Sequence, residues 1–306
     1  MTAAALAAMP AGLRPVWERE GRDWPHRARS RFVHAGGLRW HVQVWGDGPA
    51  LLLLHGTGAS THSWRDLAPL LAPRFTVIAP DLPGHAFSAM PPRSALSLPG
   101  MARLVGALLA AMGCAPRLVV GHSAGAAILA RLCLDGAIAP AALVSLNGAL
   151  LPMDGLPSLV FAPVARFFSA LPLVPLVFSW RAADRAAVER LLRGTGSVLS
   201  KPGIDLYARL FRSPGHVEGA LGMMAHWDLV PLARALPHLA TPLVLVVGEN
   251  DRAITPREAE RVRRLAPAAR IVRLAGLGHL AHEEQPERVA AIIAAVADAH
   301  GIADVT

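Results

Sequence analysis

One short stretch of the chain, residues 121–125, has the composition of a turn that holds a nucleophile. It reads Gly-His-Ser-Ala-Gly and follows the apolar run "RLVV". Glycines two positions before and after Ser123 leave room for a sharp strand-to-helix turn that presents the hydroxyl. The amides at the start of the following helix also favour a developing negative charge at this place. The pattern therefore predicts that Ser123 is a nucleophile rather than an ordinary loop serine.

A serine hydroxyl needs a general base, and the chain offers one at a matching position. His279 follows the last predicted strand, and Asp251 follows the strand before it. The chain order Ser123, Asp251, His279 is one of the known orders of nucleophile, acid and base around such a turn. Two neighbours compete for these roles: Glu249 as the acid, and His282 as the base, although we expect His282 to face the helix that follows it.

Two backbone amides are candidates for stabilising an oxyanion. A glycine-rich turn in "LLLLHGTGAS" follows the third predicted strand and can aim the Thr57 amide at the space above Ser123. The amide of Ala124, at the start of the helix, supplies the second donor. Removing one donor of such a pair lowers the rate by about 10²–10³. His55 and His85, which lie in nearby loops, are interpreted as structural residues.

Strand-like and helix-like segments alternate along most of the chain, and this alternation predicts the architecture. "RWHVQVW" alternates as a half-buried strand does, whereas "ALLLLHG" is a continuous apolar run, typical of a strand covered on both faces. We expect a helix over 62–73 and, overall, a mostly parallel sheet with helices on both sides. Residues 151–232 hold no clear buried strand. They predict a helical cap on a core formed by residues 1–150 and 233–306.

The composition argues against several classes of protein. The chain has 306 residues, of which 53% are hydrophobic and 17% charged, and its net charge of +8 comes almost wholly from arginine. The arginines are scattered and no nucleic-acid-binding motif accompanies them, so we expect no nucleic-acid partner. Cys114 and Cys133 form no metal-binding pair, which indicates core thiols in a reducing compartment. The first residues lack the basic start of a signal peptide, which favours a cytoplasmic protein.

One apolar run, residues 167–180, stands out within the predicted cap. It is shorter than the roughly 18 residues that span a bilayer, and two prolines interrupt it. Arg166 and Arg181 lie beside it. We hypothesise that part of this run forms a lip that contacts the inner-membrane surface peripherally, with plain packing in the cap core as the alternative.

The serine turn, the glycine-rich loop and the acid–base pair together resemble the α/β-hydrolase family over nearly the whole chain. The resemblance implies an α/β fold with a mainly parallel eight-stranded sheet and a helical cap. Ala86 departs from the family's pattern, because relatives carry glycine at this place in the "DLPGHAFS" turn. Asn147 stands after the sixth strand, where some relatives keep the acid, and this favours Asp251 as the acid of this chain.

Longer stretches, among them "HGTGASTHSWRDLAPLLA", "VGENDRAI" and the cap segment "SKPGIDLYARLFRSPGHVEGALGMMAHWDL", carry a narrower resemblance. They are similar to the magnesium-chelatase accessory α/β-hydrolases encoded with bacteriochlorophyll-synthesis genes in photosynthetic bacteria. This resemblance implies a role near magnesium insertion into protoporphyrin. The apolar cap could then line a site for a flat apolar ligand, with Phe168, Met223 and Trp227 as candidate contacts.

These residues predict a serine hydrolase that needs no cofactor and no metal. The expected reaction is hydrolysis of an ester, thioester or amide, or cleavage of a carbon–carbon bond in a diketone, on a small apolar carbonyl substrate or a tetrapyrrole intermediate. A serine nucleophile argues against haloalkane or epoxide hydrolysis. Two alternatives stay open: a non-catalytic factor that binds a tetrapyrrole or magnesium-chelatase subunits, and a general carboxylesterase.

Overall fold

A computed structural model describes residues 14–152, 173–181 and 184–302. Eight strands form one sheet in the order β1-β2-β4-β3-β5-β6-β7-β8. β2 is antiparallel to both its neighbours, and all other neighbouring strands are parallel. The predicted mostly parallel eight-stranded sheet is therefore confirmed. The strands are β1 (Ser30–Ala35), β2 (Leu38–Trp45), β3 (Ala50–Leu54), β4 (Thr76–Pro80), β5 (Leu118–His122), β6 (Ala142–Leu146), β7 (Leu243–Gly248) and β8 (Arg270–Leu274).

The central strands are apolar along their length because helices cover both faces of the sheet. β5, β6 and β7 are buried at every position. Side chains of β3 alternate between two separate cores: Leu52 and Leu54 belong to one, and Leu51 and Leu53 to the other. One continuous apolar strand thus supplies both layers, because successive side chains point to opposite faces.

Gly36 and Gly37 stand between two strand-like segments of the sequence and predict a hairpin there, and at the antiparallel edge β1 and β2 are joined by these two residues. Both glycines have positive φ, 57° and 75°. Two successive residues with positive φ are what the tight hairpin turn between twisted strands requires. The two glycines therefore suit this turn, and buried side chains of both strands, such as Trp40, pack in the core beneath it.

The helices pack in two layers, with α3 and α4 against one core and α12 against the other. None of the helices that the structure describes is long and apolar enough to cross a membrane. Helices α5 to α9 lie between β6 and β7 in the chain; α5 to α8 fall within the stretch predicted to be the cap, and α9 extends past its end at residue 232. The helices are α1 (Trp17–Glu20), α2 (Ala68–Leu71), α3 (Leu98–Ala111), α4 (Ala124–Leu134), α5 (Leu173–Arg181), α6 (Arg185–Gly194), α7 (Lys201–Phe211), α8 (Pro214–Ala225), α9 (Val230–Ala235), α10 (Pro256–Leu265), α11 (Ala281–Glu284) and α12 (Pro286–Ala299).

Residues 62–73, which we expected to form one helix, are divided. A 3₁₀ turn covers Thr61–Trp64, and α2 follows it separately. The polar groups of the 3₁₀ turn are buried and tied to distant residues: the Thr61 amide donates to Asp81 at 2.7 Å, and the Ser63 hydroxyl donates to Glu283 at 2.6 Å. These long-range hydrogen bonds stabilise the 3₁₀ turn, which stands where the first part of a continuous helix was expected.

The close approach of α4 to β3 generates a stability prediction. A Cβ on Gly125 would lie 2.2 Å from the carbonyl oxygen of Leu54, so Gly125→Ala must displace backbone. Overpacking of this kind lowers the free energy of unfolding by about 1–3 kcal/mol or more, measurable by urea denaturation. Gly194→Ala is the matched control, because a Cβ on Gly194 meets nothing within 4 Å. Equal stabilities of the two variants would contradict the prediction.

Candidate active site

Ser123 occupies the sharp turn between β5 and α4. Its φ of 50° and ψ of −118° form a conformation that residues with a side chain rarely adopt. The turn is tight enough that a Cβ on Gly121 would lie 2.4 Å from the Ala126 nitrogen. Backbone bonds hold Ser123 in place, since its amide donates to Leu146 and its carbonyl accepts from Ala126 and Ala149. The strained geometry predicted for a nucleophile turn is thus present at Ser123.

Asp251 and His279 form a hydrogen-bonded pair at the same edge of the sheet. Nδ1 of His279 lies 2.8 Å from Oδ2 of Asp251, whose side chain is fully buried. The other carboxylate oxygen accepts hydrogen bonds from the amides of Ala253 and Ile254, at 2.8 and 2.9 Å. Because a carboxylate accepts, the His279 proton lies on Nδ1 and Nε2 is left as the basic atom. Glu249, the competing acid, is exposed.

Asn147 forms a hydrogen bond to this pair, a role that the sequence did not predict. It has a positive φ of 47°, and its Nδ2 donates to Oδ2 of Asp251 at 2.8 Å. The position after β6, where some relatives keep the acid, therefore supports the acid here instead of supplying it. The only signal in the sequence was the place of this polar residue at a strand end.

Two more histidines pack around His279. The ring of His122 lies 4.7 Å from that of His279, and its Nε2 donates to the His279 carbonyl at 3.0 Å. His282 lies 4.6 Å from His122, and its Nε2 donates to the Ser63 hydroxyl at 2.8 Å. Burial lowers the pKa of His122 well below its usual value and that of His282 to about 3. Both rings are therefore neutral at pH 7, and His282 is a poor base.

A buried cluster around Glu283 connects this region to α7. The carboxylate accepts from the Ser63 hydroxyl at 2.6 Å, from Arg65 at 2.6 Å and from the Tyr207 hydroxyl at 2.7 Å. Burial raises the pKa of Glu283, while Arg65 and the two hydroxyls oppose that shift. Removing any one partner would leave buried polar atoms unsatisfied, which is costly in a protein interior.

The glycine-rich loop forms a turn directly over the serine. The Ala59 amide donates to the Gly56 carbonyl at 3.2 Å, and Gly58, with a φ of +79°, supplies the positive φ of such a turn. A Cβ on Gly56 would lie 2.9 Å from Cβ of Ser123. This geometry brings the turn, whose two central residues are Thr57 and Gly58, close to the nucleophile candidate.

The two candidate oxyanion donors are the amides of Thr57 and Ala124. Ala124 is the first residue of α4, where amides lack partners within the helix. Among the loop and cap bonds of the described residues, neither amide donates to a backbone carbonyl. Both remain available to a ligand atom beside Ser123.

His55 and His85 hold these loops together. His55 accepts from the Leu82 amide through Nε2 and donates to the Gly56 carbonyl through Nδ1, both at 2.8 Å. His85 donates from Nδ1 to the Pro83 carbonyl at 3.1 Å. Burial lowers the pKa of both rings. These contacts agree with their interpretation as structural residues.

The candidate cap contacts fall in different environments. Met223 is fully buried, and its sulfur lies 3.6 Å from the Thr57 hydroxyl. Trp227 is half-buried and packs on the same core. Phe168 lies outside the described residues. Within the described part of the chain, no group of three or more His, Cys, Asp or Glu side chains could hold a metal ion.

Comparison with known proteins places this geometry in a family. The family model described as "Alpha/beta hydrolase family" matches residues 51–292. The magnesium-chelatase 30 kDa subunit of Rhodobacter capsulatus is 39% identical over 273 residues, covering 89% of this chain and 95% of that protein. The pimeloyl-[acyl-carrier protein] methyl ester esterase of Vibrio vulnificus is 28% identical over 240 residues, covering 75% and 86%. A solved α/β-hydrolase-fold protein of Burkholderia ambifaria is 28% identical, with a TM-score of 0.72, and covers 88% of this chain and 97% of that one. The chain belongs to the α/β-hydrolase family.

Proposed function

We propose that this protein is a serine hydrolase of a carbonyl substrate and serves as an accessory factor near the magnesium-chelatase step of bacteriochlorophyll synthesis. The observation that carries the hydrolase proposal is the buried Asp251–His279 pair, together with a serine held at positive φ at the same edge of the sheet. The buried carboxylate–histidine pair and the strained turn at Ser123 both lower the stability of the folded protein. A loop with a purely structural role needs neither a strained serine nor a carboxylate-bound histidine.

We propose the following reaction for these groups. Nε2 of His279 takes the proton of the Ser123 hydroxyl as its oxygen forms a bond to the substrate carbonyl carbon. The carbonyl π electrons move to oxygen, and the amides of Thr57 and Ala124 stabilise this oxyanion. The tetrahedral species collapses, the bond to the leaving group breaks, and His279 returns the proton to that group. Water then repeats both steps and frees Ser123, while Asp251 orients the imidazole throughout.

The accessory role rests on similarity to a chelatase subunit over nearly the whole chain. A small apolar carbonyl compound or a tetrapyrrole intermediate is the substrate we propose. Residues 151–232 would act as the cap over a core of 1–150 and 233–306. Phe168, Met223 and Trp227 are the proposed contacts to that substrate.

One observation favours a second candidate, a non-catalytic factor that handles a tetrapyrrole or contacts chelatase subunits. The relative that is 39% identical is named as a chelatase subunit and not as a hydrolase. A third candidate, a general carboxylesterase, is supported by the similarity to a methyl ester esterase. Probe labelling separates the first two candidates, and chelatase and pigment-synthesis genes beside this one would count against the third.

We also propose a peripheral membrane contact, through one face of α5. Leu176, Val177 and Trp180 share a face of this helix and are exposed by 39%, 58% and 74%, whereas Ser179 on the other side is buried. Arg181 extends the exposed face. Transfer of apolar area out of water is worth about 25 cal/mol per Å². An arginine beside an anionic leaflet adds about 1 kcal/mol.

The first prediction concerns the nucleophile. A fluorophosphonate probe should label the wild-type protein at Ser123, and Ser123→Ala should abolish labelling without unfolding the protein, as followed by mass spectrometry and circular dichroism. Ser94→Ala, at an exposed serine, is the control and should label normally. Undiminished labelling of the Ser123 variant would refute the assignment. A folded wild type that does not label would favour the non-catalytic factor.

The second prediction concerns the acid. Asp251→Asn should lower kcat/KM for a p-nitrophenyl ester by about 10⁴, because the amide no longer holds the required imidazole tautomer. Asn147→Ala removes one hydrogen bond to a charged group and should lower kcat/KM by about tenfold. Glu249→Gln is the control and should have no effect. Loss of activity in the Glu249 variant with normal turnover in Asp251→Asn would overturn the assignment.

The third prediction concerns the α5 face. Trp180 is the one mostly exposed tryptophan of the seven. Anionic vesicles should therefore shift its emission to the blue and reduce its quenching by acrylamide, and Trp180→Phe should lose this signal. Val177→Ser with Trp180→Ser should reduce vesicle flotation, whereas Leu70→Ser, at a 43% exposed leucine of α2, should not. The proposal fails if wild type stays unbound, or if Trp180 is shielded from acrylamide without vesicles.

A further inference from the structure

A single side chain of α8, His216, joins the cap helix to two loops of the active site. Its Nδ1 accepts a hydrogen bond from the Ala86 amide at 2.9 Å, and its Nε2 donates to the Gly58 carbonyl at 3.1 Å. The ring is completely buried. We propose that His216 is a positioning residue, which sets the oxyanion turn through Gly58 and thereby the Thr57 amide. This inference rests on the proposed function.

The bond to Gly58 acts on the part of the loop that matters for catalysis. Gly58 follows Thr57 within the turn that Gly56 and Ala59 close. Gly58, at a φ of +79°, lacks the steric restriction of a Cβ, so a bond to its carbonyl adds a restraint to the hydrogen bond that closes the turn. A donor bound to the Gly58 carbonyl restricts the plane that follows it and, through the turn, the direction of the Thr57 N–H.

The bond to the Ala86 amide supports a second strained position in the backbone. Ala86 is fully buried and has a φ of +38°, a left-handed conformation that is unfavourable for a residue with a Cβ. Its amide is committed to His216. The imidazole thus supports the strained turn at the place where relatives carry glycine. No other arrangement of protons satisfies both bonds, so the ring must be the neutral Nε2–H tautomer.

The surroundings maintain that tautomer. Burial lowers the pKa of His216 to about 4, with His55 and Arg14 acting in the same direction and Asp81 and the Gly58 carbonyl against it. The ring of His85 packs 5.4 Å away. At pH 7 the ring is therefore uncharged, and Nδ1 is free to accept.

His216 shares its face of α8 with two other contacts to the same loops. Gly219, one turn on, approaches Gly84 so closely that a Cβ would lie 2.1 Å from the Gly84 carbonyl oxygen. Met223, a further turn on, contacts the Thr57 hydroxyl. The spacing of three and four residues puts all three on one stripe of the helix. Docking of this stripe and the geometry of the oxyanion turn are thereby coupled.

The test compares variants that remove both hydrogen bonds or retain one. His216→Phe keeps a ring of similar size but neither bond. It should slow fluorophosphonate labelling of Ser123 by about 10²-fold, the effect of losing one oxyanion donor. In a steady-state assay the loss should fall on kcat rather than KM. His216→Asn can retain the acceptor for Ala86, and His216→Gln the donor to Gly58. The Gln variant should recover more labelling than the Asn variant.

Hydrogen exchange measured by mass spectrometry on the same proteins reports the loops without reference to activity. Exchange in residues 56–61 and at Ala86 should be at least tenfold faster in His216→Phe than in wild type. His226→Phe is the control, because the bond that the described residues give the His226 ring lies within its own helix turn, to Gly222 at 2.7 Å.

Each outcome decides the proposal. Unchanged exchange in His216→Phe overturns it, and so does faster exchange with normal labelling, which would make the contact structural alone. If the wild type is not labelled, the serine-hydrolase proposal fails. The exchange comparison then still shows whether His216 holds the turn.

Discussion

Helix α4 runs so close to strand β3 that only glycine fits at position 125, where the helix faces the Leu54 carbonyl. The end of β5 and the start of α4 are therefore forced into one tight turn. Ser123, at the centre of this turn, has a positive φ of 50°. The same approach puts the first amide of α4 beside the serine. The nucleophile and the oxyanion donor that we propose thus share one steric origin, the backbone contact between α4 and β3.

Around that turn, burial and hydrogen-bond partners together decide which titratable side chains carry charge. His122 and His282 are neutral because the interior penalises an imidazolium. Burial by itself would raise the pKa of Asp81, yet the facing His41, at 2.7 Å, and the Thr61 amide lower it to about 2. The charged carboxylate of Asp81 therefore holds loop amides by hydrogen bonds, whereas the uncharged rings of His122 and His282 pack against neighbouring rings.

The helices between β6 and β7 are bound to the core by apolar packing and also by polar bonds from two buried side chains. Tyr207 on α7 reaches the buried Glu283, and His216 on α8 reaches the two active-site loops. Tyr207 adds a donor to the two that Glu283 already has, and His216 is a partner for the buried Ala86 amide and the Gly58 carbonyl. Helices α7 and α8 and these loops are therefore parts of one hydrogen-bonded unit, through which we propose that a substitution in α8 affects the chemistry.

Much of this protein follows from its sequence by itself. The alternation of buried strands and helices predicts the sheet, the two glycines at 36 and 37 predict the hairpin, and the glycines around Ser123 predict its turn. These features depend on neighbours within a few residues, so a local pattern is enough to specify them. Other features need the folded chain. The division of 62–73 results from partners about 20 and 220 residues away in the chain. The support of Asp251 by Asn147 and of Ala86 by His216 joins positions 104 and 130 residues apart. A side chain's hydrogen-bond partner across such a separation is decided by how the elements pack, which no local periodicity encodes.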